Sequence, residues 1–105
     1  MFVNLTPHTL NIIRDGGEDI IIPPSGTVAR CAVNRRQIGT IDGVPINATE
    51  FGAVEGLPDP APGTYYIVSA LVAQAVRGRE DVLITDDAVR DSSGRIVGCR
   101  AFARV

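Results

Sequence analysis

The sequence contains no lysine: all ten basic residues are arginine, against twelve acidic ones, for a formal net charge of −2. That balance excludes a general electrostatic pull toward nucleic acid or an anionic membrane. The missing lysine has two readings. Planar guanidinium forks suit carboxylate or phosphate recognition; alternatively, a GC-rich genome spells basic residues as arginine, and Arg14, Arg35, Arg36 and Arg77 sit where ordinary surface residues would. Apolar runs are short. Ile20–Pro24 and Tyr65–Val76 fall well below the ~20 residues of a spanning helix, and Met1-Phe2-Val3 opens no signal-peptide pattern. The chain is therefore expected to be soluble, without a membrane partner. Cys31, Cys99 and His8 are too few for a zinc site, and each cysteine lies beside small apolar residues, which fits two buried thiols better than a disulfide. No internal repeat, low-complexity segment, G-x-S-x-G serine or glycine-rich phosphate cradle is present.

What is there fits one domain, 1–105. A chain of 105 residues with 45% hydrophobic content closes one modest core. Its organising stretch is Tyr65 to Gly78, where a strand pattern passes directly into a helix pattern. Tyr65, Tyr66, Ile67 and Val68 suit a pleated surface, and Ala, Leu and Gln then take over. Ser69 is the natural N-cap, accepting from Leu71 or Val72, and Gly78 suits a left-handed C-terminal stop. Leu71, Val72, Ala75 and Val76 share the face expected to pack on a sheet.

Around this centre the pattern predicts strands. Phe2–Leu5 is interrupted by Thr6-Pro7-His8, since Pro7 lacks a ladder donor. Leu10–Arg14 and Asp19–Ile22 form a hairpin, and Thr27–Val33 alternates so that Arg30 lies on a sheet face. Ile38–Ile41 and Val44–Ile46 flank Asp42-Gly43, the strongest two-residue hairpin signal. From Asn47 to Gly63 the pattern loosens, with Pro58, Pro60 and Pro62 forbidding regular pairing. Asp81–Thr85 is a strand and Asp86-Asp87 a turn. Ala88–Asp91 then pairs with Arg95–Val105 across Ser92-Ser93-Gly94. The expected fold is α+β: a mainly antiparallel bent sheet of several hairpins with one short helix packed on it.

Candidate chemistry is sparse. His8, the lone neutral-pH titrating side chain, would need Ser25 or Ser69 and an aspartate to act catalytically; a ligand contact and a structural role in the Thr6-Pro7 turn are the alternatives. Ser69 offers helix N–H groups to an anion or simply caps. Asp81, Asp86, Asp87 and Asp91 fit solvated turns better than a cation loop. Arg30, Arg90 and Arg100 interrupt strands and, if they converge, would make an anion pocket, with Tyr65, Tyr66 or Phe102 stacking a base. No catalytic residue, metal or cofactor is assigned.

Five segments together carry a resemblance: N-L-T-P-H at 4–8, I-P-P-S-G-x-x-A-R-C at 22–31, F-G-x-V-E-G-L-P-D-P at 51–60, Y-I-V-S-A-L-V-A-Q-A at 66–75 and V-R-D-x-x-G-R-I-V-G-C-R at 89–100. They resemble a family of small proteins encoded by tailed phages and prophages. The resemblance implies a phage-borne single compact domain and supplies no catalytic residues; with no signal-peptide pattern, the cytoplasm of the bacterial host is the expected compartment. The resemblance points to counter-defence by binding. The leading expectation is a non-enzymatic protein sequestering a small anionic, nucleotide-like signal through Arg30, Arg90, Arg100, Ser69, His8, Phe102 and Tyr65, in a homo-oligomer. The alternative is an inhibitor of a host protein, acting through the 38–46 hairpin and the 56–63 proline loop; a small hydrolase comes third.

Overall fold

The computed structural model describes all 105 residues. The elements run β1 (Phe2–Asn4), β2 (Leu10–Ile12), β3 (Ile20–Ile22), β4 (Arg30–Ile41), β5 (Val44–Glu55), β6 (Tyr65–Ile67), α1 (Ala70–Ala75), β7 (Val82–Arg90) and β8 (Ile96–Ala103). Six strands form one sheet, ordered β1-β6-β7-β8-β2-β3, and β4 with β5 forms a separate two-stranded ribbon. About half the residues are strand and only the six of α1 are helix. The expected α+β class is thus corrected to a mostly-β protein, because the helical pattern beyond Ser69 yields less than two turns.

Pairing within the sheet is mixed, and three strand pairs depart from the antiparallel arrangement expected of most. β1–β6, β6–β7 and β8–β2 run parallel, whereas β7–β8 and β2–β3 are antiparallel. The cause of one parallel pair lies in α1: a helix crossover can deliver the next strand parallel to the one before it, and β6–α1–β7 does so. β1 then joins the other side of β6, with Phe2 opposite Tyr65.

Ser69 caps α1 as its sequence position implies. Its backbone is extended (φ −67°, ψ 158°) and its Oγ accepts from the Val72 N–H at 3.4 Å. Six residues do not hold a helix alone. Burial of Val72 and Ala73 holds this one, whereas Leu71 stays 49% exposed instead of joining the apolar face. Val72 and Ala73 join Leu5, Ala29, Tyr66, Val68 and Val82 in the core, against which Cys31 and Val54 pack from the root of the ribbon.

The sheet curls until its two edges nearly meet, and Asn4 closes the gap. Only 1% exposed, its side chain donates Nδ2 to the carbonyls of His8 (2.7 Å) and of Ile22 in β3 (3.1 Å). Its Oδ1 accepts from the Thr6 N–H (3.0 Å) and Thr6 Oγ1 (2.7 Å). Beyond β3 the chain runs along β1, with Ser25 N–H donating to Asn4 O and Ala29 N–H to Leu5 O, both at 3.0 Å.

Beyond its root, where Cys31 and Val54 pack on the core, the ribbon leaves this body. Its arms pair from Arg30 opposite Glu55 to Ile41 opposite Val44, around a tip where Asp42 (φ 50°) and Gly43 (φ 79°) are both left-handed, as a two-residue type I′ turn requires. The turn lies where the sequence places it, but β5 runs on through 47–55, which the pattern leaves unstructured. Twelve residues per arm at ~3.3 Å each span roughly 40 Å, within overall extents of 52 × 39 × 22 Å. Where β5 leaves the ribbon, Gly56 (φ +81°) is required, since a Cβ there would lie 2.6 Å from Val28 O. No helix is long and apolar enough to cross a membrane.

Candidate functional site

The ribbon is the feature with the most unmet chemistry. Cross-strand partners share a face, so Ile41, Val44 and Ile46 lie on one side near the tip, and the pair Val33–Phe51 lies on the other, nearer the root. Ile38 sits at the register shift between Gln37 and Gly39. Ile38, Ile41 and Val44 are 59, 64 and 59% exposed. Exposed polar side chains, among them Arg35, Gln37, Thr40 and Asn47, share the ribbon with them. One surface ion pair, Arg36 Nε to Glu50 Oε1 at 2.8 Å, bridges the arms, and exposed pairs of that kind contribute little. The outer edges of β4 and β5 pair with no other strand.

The body carries two grooves. One, of about 480 Å³, lies where β2 meets β7 and β8, between Leu10, Asn11, Asp86, Asp87 and Cys99. Asp87 is held at φ 54°, and Asn11 Oδ1 is buried without a partner while its Nδ2 donates to Val97 O at 3.4 Å. Burial pushes the Cys99 thiol up from its ordinary pKa. The other groove, about 350 Å³, is an aromatic shelf of Phe2, Tyr65, Leu83, Phe102 and Arg104. Phe2 stacks edge-on to Phe102 at 5.0 Å between centroids and tilts against Tyr65 at 6.2 Å.

The structure disperses most of the residues singled out in the sequence. Tyr65 and Phe102 do come together, on the aromatic shelf. The three arginines do not share a groove. Arg30 stands exposed at the root of the ribbon, opposite Glu55. Arg90 Nη1 donates to Gly94 O at 2.8 Å, bracing its own hairpin turn. Arg100 Nη1 faces Asp15 Oδ1 at 3.5 Å. Ser69 Oγ is spent on the helix cap, and Ser25 Oγ donates to Thr27 O at 3.2 Å. The His8 side chain is exposed and its backbone carbonyl, not its ring, is what ties the Thr6-Pro7 turn to Asn4. No group of three His, Cys, Asp or Glu residues converges on a metal-sized position.

The proline loop is strapped to the body. Leu57 packs on the core, Tyr66 Oη donates to Asp59 O at 3.3 Å, and Arg79 Nη2 donates to Pro58 O at 3.0 Å. Arg79 also holds Asp81 through Nε (3.0 Å) and Nη2 (2.6 Å). That fork keeps the Asp81 carboxyl below its ordinary pKa and raises the guanidinium's. Asp91 is likewise held low, first by the Ser93 hydroxyl and then by the Arg95 N–H.

Two positions that sequence reasoning passed over matter here. Asn4 looks like any polar residue in a short strand, and the strand 47–55 lacks the alternation that marks a half-buried surface. No protein-family model, no curated protein and no solved structure matches this chain.

Proposed function

We propose that this chain is a non-enzymatic binding protein that engages another protein through the β4–β5 ribbon. One observation carries the reading: two twelve-residue strands project from the body with Ile38, Ile41 and Val44 bare at the tip and both edges unpaired. An isolated two-stranded ribbon is marginal in water, and exposed edges and apolar patches are what native proteins cover. Recognition by such an element uses main-chain pairing for affinity and alternate side chains for selectivity. The sequestration of a nucleotide-like anion has less support, because Arg90 and Arg100 are engaged elsewhere and Arg30 stands apart from both grooves. The setting suggested by the phage-like motifs, interference with a host process by binding, suits a protein-contacting arm equally well.

Cross-linking with mass spectrometry tests this on the full chain. Intermolecular cross-links are expected on residues 33–51, and melting curves are expected to stay unmoved across a panel of nucleotides. Cross-links confined to the six-stranded body, or a nucleotide that raises the melting temperature by mass action, would remove the ribbon from the lead.

A further inference from the structure

We infer that the protein covering the ribbon is a second copy of this chain. The inference rests on the ribbon being the contact element and names its partner. Surface area is the starting point. One chain exposes 7112 Å², whereas a folded monomer of its mass, 11.1 kDa, exposes about 5,700 Å². The excess, about 1,400 Å², falls within the roughly 1,000–2,500 Å² that each partner gives up in an obligate homodimer. Shape agrees with area: the radius of gyration is 16.5 Å, against about 13 Å for a compact chain of this length.

The interior is correspondingly small. Only 11 of 105 residues are buried, and seven of them form the core cluster. Cover for the ribbon is therefore needed whenever the chain is folded, and a second copy, made in the same place at the same time, supplies it without waiting for a foreign protein.

The ribbon's chemistry points the same way. Residues 30–55 carry Arg30, Arg35 and Arg36 against Asp42, Glu50 and Glu55, a net charge of zero; the remaining seven arginines and nine acids leave −2 on the body. Ribbon against ribbon meets no net repulsion, whereas a surface of one charge sign would find no complement there. Apolar side chains also lie on both faces, so a flat contact on one side leaves the other bare. Reciprocal exchange about a twofold axis, each ribbon laid against its counterpart and its partner's body, covers both faces with one self-complementary contact.

Light scattering of the eluting full chain, over a roughly hundredfold dilution series, is the test, with amide hydrogen exchange on the same samples. The expected mass is an integer multiple, at least twofold, of 11.1 kDa, with amides 38–46 protected wherever the oligomer persists and losing protection where dilution splits it. Ile41→Asp and Val44→Asp are each expected to move dissociation to about tenfold higher concentration or more. A one-chain mass at every concentration overturns the second copy as partner and leaves the ribbon open to another protein. An oligomer indifferent to both substitutions overturns this inference and the ribbon's role together. Both side chains lie far from the core, so the variants are expected to fold. Should either lose its circular dichroism, exchange in the unaltered chain decides, and rapid exchange over 38–46 in samples that elute as an oligomer overturns the inference.

Discussion

Replacing Asn4 by leucine preserves approximate size and deletes the side-chain polar atoms that close the curled sheet, leaving only the backbone bonds from Ser25 and Ala29. Four hydrogen bonds go: two from Nδ2, to His8 O and Ile22 O, and two to Oδ1, from Thr6 N–H and Oγ1. The Thr6 hydroxyl and His8 carbonyl retain each other at 3.2 Å, but the Thr6 N–H loses its side-chain acceptor. At about 1 kcal/mol net per bond the loss is about 4 kcal/mol, and the added apolar burial of leucine returns about 1 kcal/mol. A net 3 kcal/mol or so is a large part of the roughly 5–15 kcal/mol that holds a domain together, and corresponds to a fall of about 12–24 °C in melting temperature. Thermal melts followed by circular dichroism read it directly. Asn4→Asp sharpens the test. It keeps the acceptor and points a carboxylate oxygen at two carbonyls, so burial and repulsion raise its folded-state pKa above the ordinary value near 4. With the folded pKa raised, this variant is most stable below the ordinary carboxylate range and loses stability as pH rises through the folded value. An Asn4→Leu protein melting within about 5 °C of the parent would refute the closure argument.

Three further outcomes are expected. Asp81→Asn, which breaks the Arg79 fork, should cost about 1–2 kcal/mol in urea unfolding at neutral pH. Because the folded Asp81 pKa is depressed, the parent's advantage is present above the ordinary carboxylate pKa and disappears as pH falls through the folded value; an advantage that persists in strong acid contradicts this. Gly56→Ala combines a left-handed φ of +81° with a Cβ 2.6 Å from Val28 O and should cost about 2–3 kcal/mol. Gly43→Ala, at φ +79° in open space, should cost about 1 kcal/mol, and equal losses at the two sites would show that contact with Val28 is immaterial. A thiol reagent should modify partly exposed Cys31 before buried Cys99, whose pKa burial has raised; equal native-state rates contradict this.

The parts of the fold legible in the sequence are those decided within a few residues. Asp42-Gly43, Ser92-Ser93-Gly94 and Ser69 fix a turn, a turn and a cap by their own backbone preferences, and each is where the pattern puts it. Strand order is not local, so nothing in Phe2–Asn4 announces a parallel partner sixty residues away. The ribbon's length escaped for a different reason. Period-two alternation arises only when one face is buried, and from Asn47 to Phe51 only Ala48 is even partly covered within the chain. Asp86-Asp87 has the composition of a turn, yet Asp87 accommodates φ 54° while β7 continues past it. Both the meeting of Tyr65 and Phe102 on one shelf, bridged by Phe2, and the separation of Arg30, Arg90 and Arg100 depend on strand order, and neither was legible in side-chain type.

The parallel register also orders events in time. β1 is synthesised first but pairs only with β6, and β2, close behind it, pairs with β3 and then with β8 near the other end. The β4–β5 ribbon needs nothing beyond residue 55 to close on itself. Local pairings form ahead of distant ones, because the loop they close is short. Pairing within the ribbon can therefore begin while the body that anchors it still lacks β6, β7 and β8. Apolar strands are thus made before the sheet and core that anchor them, so an unfinished chain carries unpaired edges, and aggregation before completion is its characteristic hazard.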